Sequence, residues 1–183
     1  MSAPSPIRVV FVAGSEGEWR IESISPVRGE GLPSAARLMR IEGPARPSAG
    51  TWTLRGTTSN ERYVTRSEKD RLRATQPVLG RPDSTRAALI PVRKSAAWWD
   101  LAQDERRQIF EDRSKHLSLG LRYLPAVARR LYHCRDLGEP FDFLTWFEYA
   151  ETDAGSFEEL VVELRRSAEW EFVEREVDVR LSR

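Results

Sequence analysis

Alternating apolar and polar residues, interrupted twice by helical periodicity, constrain residues 86–183 more than any other feature. "AALIPVRKS" is β-rich, and in the following "AAWWDLAQDE" Asp100 with Gln103 resembles a capping box, while Asp104 and Glu105 favour a helix that can run to Gly120. "VARRLYHCRDL" and "FDFLTWFEYA" alternate and are joined through Gly138 and Pro140, the pattern of an antiparallel hairpin. A helix is expected from about Phe157 to Trp170, with Phe157, Leu160, Val161, Leu164 and Ala168 on one stripe. "FVEREVDVRL" then alternates again. The order βαββαβ predicts a ferredoxin-like sheet with helices on one face.

The first half reads as strands and loops. "IRVVFVAG", "EWRIESISPV", "TWTLRGTT" and "ERYVT" are β-rich, and "GPARPSAG" is turn-forming. "SEKDRLRATQPVLGRPDSTR" is charged, then broken by Pro77, Gly80 and Pro82, so its second part connects the halves. The expected organisation is a reduced, strand-rich subdomain over 1–85 and a ferredoxin-like one over 86–183. Two such sheets curl together into an α+β barrel.

Charge and cysteine usage narrow the chemistry. The 29 Lys and Arg balance 28 Asp and Glu, with no basic stripe of the kind nucleic acid or an anionic membrane requires. The single cysteine, Cys134, forms no internal disulfide and no CxxC metal site. No run approaches the roughly 18 apolar residues of a membrane span, and the N-terminus lacks a basic signal-peptide region. A soluble cytoplasmic protein is expected.

One residue in the hairpin does not fit an apolar face. Alternation aims Arg129 the same way as Val127, Leu131 and His133, opposite Phe143, Thr145, Phe147 and Tyr149 on the neighbouring strand. A small dry pocket lined by Leu131, Thr145 and Phe147 with Arg129 inside suits a compact anion. Snorkelling to solvent, pairing with a carboxylate such as Glu148 or Asp142, or a place on an exposed face also accounts for a charge here. The two histidines are the candidate metal ligands. His133 shares strand and face with Arg129, which places it poorly for a planar cofactor approached from the opposite side. His116, seven residues after Ile109 on a continuous helix, points to the sheet, either as an ordinary core histidine or as a ligand.

"HLSLGLRYLPAVARRLYHCRDLGEPFDFLTWFEYA", "PVRKSAAWWDL" and "LRRSAEWEFVEREVDVRL" together resemble the chlorite dismutase family of heme b proteins, in its short-chain, dimeric lineage. The resemblance covers nearly all of 86–183; before that it rests on chain length, "NERYV" and "ATQP". It implies one heme b per subunit, with His116 as iron ligand and Glu169 accepting a hydrogen bond from the other ring nitrogen. Lys94 ties that side together, and Trp98, Tyr123 and Tyr63 meet the heme edge or propionates. Arg129 becomes the distal arginine, with Leu131, Thr145, Phe147 and Gln76 around it. The implied activity converts chlorite to chloride and dioxygen, in a homodimer. Related coproheme decarboxylases generally lack the distal arginine and carry a tyrosine shortly before the lysine; "STRAALIPVRKSAAWW" contains none. A heme peroxidase of the same superfamily and a non-enzymatic heme-binding protein are the remaining alternatives.

Overall fold

The computed structural model describes residues 6–44, 49–58, 67, 70, 75 and 77–183. Among them, eight strands close into an antiparallel barrel: β1 (Arg8–Gly14), β2 (Trp19–Arg28), β3 (Arg37–Glu42), β4 (Trp52–Thr57), β5 (Arg86–Lys94), β6 (Ala128–His133), β7 (Phe143–Tyr149) and β8 (Val173–Ser182). Going round the barrel the order is β4-β1-β3-β2-β8-β5-β7-β6. Each half therefore places its fourth strand beside its first, then its third, then its second. The halves join broadly along β2 and β8, from Arg20 opposite Ser182 to Arg28 opposite Glu176. They join narrowly between β4 and β6, where Thr57 faces His133.

Connection length separates the halves. Four residues, 15–18, separate β1 from β2 and nine separate β3 from β4, whereas 95–127 and 150–172 carry the helices of the second half. These are α1 (Ala96–Asp100), α2 (Gln103–Arg107), α3 (His116–Arg122) and α4 (Ala154–Arg165). None of the described helices is long and apolar enough to cross a membrane.

Period-two alternation builds two cores back to back on the same strands. Tyr132, Leu144 and Trp146 point into the barrel, where they meet Phe11, Trp19, Leu38 and Leu54. Trp146 packs at 5.5 Å from both Phe11 and Trp19, ring centre to ring centre. Burying each such side chain stabilises the fold by about 1.5–3 kcal/mol. Phe147, Tyr149, Ala88, Ile90 and Val92 point outward, and α4 covers them with Phe157, Leu160, Val161 and Leu164. Arg129 belongs to this outer face, so the apolar layer it enters lies between sheet and helices rather than inside the barrel. Glu148 and Asp142 have partners elsewhere. Glu148 accepts hydrogen bonds from the Trp146 indole and the Gly80 amide, and Asp142 accepts one from the Lys94 amide.

Several local expectations are corrected. β3 has no counterpart among the strands read from the first half, and "ERYVT" lies outside the described residues. The continuous helix from Asp100 to Gly120 is instead three pieces beyond the end of α1, because a π-helical stretch, Gln108–Arg113, follows α2 and Lys115 adopts left-handed dihedrals (φ 48°, ψ 36°) before α3. The capping interaction lies two residues downstream of the expected one, where the Ala102 N–H donates to the Glu105 carboxylate at 2.7 Å. The last helix runs from Ala154 to Arg165, and Ala168–Phe172 forms a separate 3₁₀ turn.

Candidate functional site

Broken helical phase is what delivers His116. In the π-helical stretch the Ser114 N–H donates to the Ile109 carbonyl, and the left-handed Lys115 then starts α3 in a new direction with His116 as its first residue. A non-glycine residue in that region costs on the order of 1 kcal/mol, and packing of the emerging ring offsets it. Phe110 stacks on the imidazole at 4.5 Å, and Trp170 lies nearly parallel to it at 6.5 Å.

His116 Nδ1 lies 2.7 Å from Glu169 Oε2, and Lys94 Nζ lies 2.7 Å from Glu169 Oε1. Lys94 and Glu169 are both buried. The Glu169 amide donates to Ser114 Oγ at 2.9 Å, tying the 3₁₀ turn to the start of α3. Burial opposes ionisation of Glu169, but His116 and Lys94 more than offset it and hold the carboxyl at about 2. An ionised carboxylate only accepts, so Nδ1 carries the proton shared with Glu169, and Nε2 is the ring nitrogen turned away from it. Such a bond orients the ring and makes Nε2 a stronger donor to a metal. The Lys94 ammonium balances the carboxylate and lies 4.6 Å from the Trp98 ring centre and 5.4 Å from that of Trp170.

His116 and Arg129 line one cleft of about 390 Å³, counting its open mouth. Ile90, Val92, Thr145 and Phe147 form its sheet wall; Val161, Leu164 and Trp170 form its helical wall. Arg129 is partly buried, and desolvation lowers its pKa while the Glu111 carboxylate acts in the opposite sense. The guanidinium stays cationic at neutral pH. The cleft thus sets an electron-donating nitrogen and a fixed positive charge among apolar side chains.

Of the residues expected here, His116, Arg129, Thr145 and Phe147 line the cleft, and Lys94 and Glu169 stand directly behind the imidazole. Leu131 faces Thr145 across the strand pair but is 46% exposed and off the cleft wall. His133 sets its ring edge-on to Phe143 at 5.1 Å, also outside the cleft. Trp98 is buried, and its indole N–H has no acceptor among the described residues. Tyr123 reaches Glu163 at 3.3 Å. Tyr63 and Gln76 lie outside the described residues.

Arg165 and Glu176 also line the cleft and were not anticipated. Glu176 is buried, accepting from Arg165 Nε at 2.8 Å and the Trp170 indole at 2.7 Å. Alternation in β8 puts Glu176 and Asp178 on the face α4 must cover, with Arg165 ending that helix. That juxtaposition was the available signal.

The donor set suits a heme. Among the described residues no group of three or more His, Cys, Asp or Glu gathers to hold a bare metal ion. A lone imidazole is matched to a metal that brings its own equatorial ligands. Ile90, Val92, Phe147, Val161 and Leu164 give the cleft apolar walls of the kind a macrocycle packs against, and the buried Trp98 N–H has no acceptor among the described residues.

Comparison with known proteins identifies the family. A family model described as chlorite dismutase matches residues 33–183. A chlorite dismutase from Ideonella dechloratans is 37% identical over 83 residues, 45% of this chain and 27% of that protein, so the match spans about a quarter of the curated relative. The crystal structure of a dimeric chlorite dismutase from Nitrobacter winogradskyi is 58% identical, with a TM-score of 0.89 over 96% of this chain and 99% of that one. A mutant chlorite dismutase from Candidatus Nitrospira defluvii, 19% identical, shares the fold alone, with a TM-score of 0.67 over 97% of this chain and 92% of that one. Since the matched region holds both the imidazole and guanidinium walls of the cleft, as well as most of the barrel, this chain belongs to the chlorite dismutase family.

Proposed function

We propose that this chain is a heme b enzyme that converts chlorite to chloride and dioxygen, with one heme per subunit of a homodimer. The observation that carries the reading is a single cleft lined by a carboxylate-oriented imidazole and a partly buried guanidinium. The dimer rests on the Nitrobacter winogradskyi relative, described as dimeric. The strand order of each half supports a ferredoxin-like unit over 86–183 and a reduced copy over 1–85. A cytoplasmic location completes the proposal.

Bound heme supplies the redox chemistry that moves oxygen off chlorite and joins two oxygens. His116 Nε2 is the nitrogen that holds the iron, and Glu169 keeps the ring proton on Nδ1 so that Nε2 stays available. Lys94 keeps the carboxylate in place by neutralising its charge. Arg129 attracts the chlorite anion and retains anionic fragments beside the reacting centre, an effect strengthened where water is excluded. Thr145 and Phe147 bound that anion pocket, and the family resemblance adds Leu131 and Gln76 to it. By the same resemblance Trp98, Tyr123 and Tyr63 serve the heme edge and propionates.

An oxygen electrode tests the reading directly. Chlorite added to heme-loaded protein should release dioxygen promptly, and Arg129→Ala should cut turnover on the order of a hundredfold or more, as loss of one preorganised donor does elsewhere. Peroxide turnover without oxygen release would make the chain a peroxidase. Heme that binds and leaves quickly without turnover would make it a carrier.

A further inference from the structure

Glu169 is gripped through its backbone as well as through its carboxylate. It is the second residue of the 3₁₀ turn Ala168–Phe172, and the opening amides of a helical turn have no carbonyl within that turn to bond. Its N–H donates instead to Ser114 Oγ at 2.9 Å, while Lys94 Nζ donates to its carbonyl at 3.4 Å. Ser114 is itself buried and caps the π-helical stretch, two residues before His116. Its own N–H donates to the Ile109 carbonyl at 3.0 Å, five residues back. One residue therefore fixes the bend that aims the imidazole and holds the backbone of the carboxylate that the imidazole meets. Two hydrogen bonds, Glu169 N–H to Ser114 Oγ and His116 Nδ1 to Glu169 Oε2 at 2.7 Å, join the same two segments and close a clasp between them. Ser114 and Glu169 are not among the described residues that line the cleft, so a planar group bound there leaves both bonds in place.

We infer that Ser114 is a positioning residue for the His116–Glu169 pair, setting the length of the bond that makes Nε2 a strong donor. The consequence for the metal rests on the heme reading; the clasp does not. Without Oγ the buried Glu169 amide loses its acceptor. Lys94, bonded to the other carboxylate oxygen and to the carbonyl, then draws Glu169 away from the ring. The Nδ1 bond lengthens and Nε2 donates less.

The experiment compares full-length, heme-loaded wild type with Ser114→Ala, Ser114→Thr, Glu169→Gln and the Ser114→Ala, Glu169→Gln double variant. The iron–histidine stretch in the resonance Raman spectrum of the ferrous protein reads donation by Nε2, and transfer of heme to an acceptor protein reads affinity. Ser114→Ala should lower the stretching frequency toward that of Glu169→Gln and weaken heme binding about tenfold, the lower end of what losing a ligand's supporting partner costs. Ser114→Thr keeps the hydroxyl and should hold both near the wild-type values. In the Glu169→Gln background Ser114→Ala should leave the frequency unchanged, since its effect passes through the carboxylate. An unmoved frequency in Ser114→Ala, whatever its melting temperature, overturns the inference and leaves the heme reading standing. An equal drop in the Glu169→Gln background also overturns it. If the wild type takes up no heme, the heme reading fails, and the Glu169 amide signal in nitrogen-15 NMR, identified by its loss in Glu169→Gln, decides the clasp. A signal moved by Ser114→Ala and restored by Ser114→Thr upholds it; an unmoved signal overturns it. If Ser114→Ala does not fold, Ser114→Cys, whose sulfur is a weak acceptor, takes its place with the same two outcomes.

Discussion

The barrel interior and the outer cleft are built from the same strands one residue apart, and they differ in what they do with polarity. Leu144 and Trp146 point into a lumen filled with rings, whereas Thr145 and Phe147 point to a layer that also admits His116, Arg129, Glu176 and Arg165. The interior closes on itself because strands supply both of its walls. The outer layer is closed by helices arriving through two long connections, and helices of different lengths and directions leave a gap. Rigidity on one face and an opening on the other are what allow a reactive site to sit on a small barrel.

Substitutions on the two faces should therefore separate stability from cofactor binding. The largest effect belongs to His116→Ala, which removes Nε2 and should strip the protein of most of its heme, measured as the Soret-to-280 nm absorbance ratio. Full occupancy with an unchanged spectrum would move the ligand to His133. Next comes Phe11→Ala in the interior, expected to cost about 3–5 kcal/mol in urea denaturation while the folded protein retains its heme affinity. An equal loss of heme affinity would show that the two faces are not independent. Glu169→Gln keeps the shape of the side chain but removes its charge, leaving the Lys94 ammonium uncompensated; it should weaken heme binding about 10–100-fold, measured by transfer to an acceptor protein. The smallest response is expected from Cys134. Burial raises its thiol pKa far above the ordinary range, and its sulfur lies 3.1 Å from the Phe141 carbonyl, so alkylation should be negligible until the chain unfolds. Rapid labelling of the native protein would show the barrel side open to solvent.

Much of the second half was legible because its strands keep strict alternation. That Arg129 and Leu131 share a face, as do Thr145 and Phe147, follows from two uninterrupted runs of period two; the register that pairs Arg129 with Phe147 came from the structure. β3 escaped notice because Arg37–Glu42 is short and only one of its residues is fully buried. Glu169 was assigned through family likeness alone, since a continuous helix puts it about 120° away from the apolar stripe. The actual backbone leaves α-helical geometry after Arg165, and the 3₁₀ turn aims the carboxylate inward at His116 and Lys94. His116 was expected on the right wall by way of a helix that is not continuous.

By itself the sequence determined which residues share a face within each unbroken element, and hence that a charge stands among aromatic side chains on β6 and β7. It also determined the balance of charge that makes a small anion a more suitable partner than a polymeric one. The tertiary structure decided which side of the sheet is the lumen and which is the cleft, and where the imidazole points. Periodicity propagates only along an uninterrupted backbone. Across the π-helical stretch, the left-handed Lys115 and the 3₁₀ turn, direction is set by contacts between residues distant in the chain.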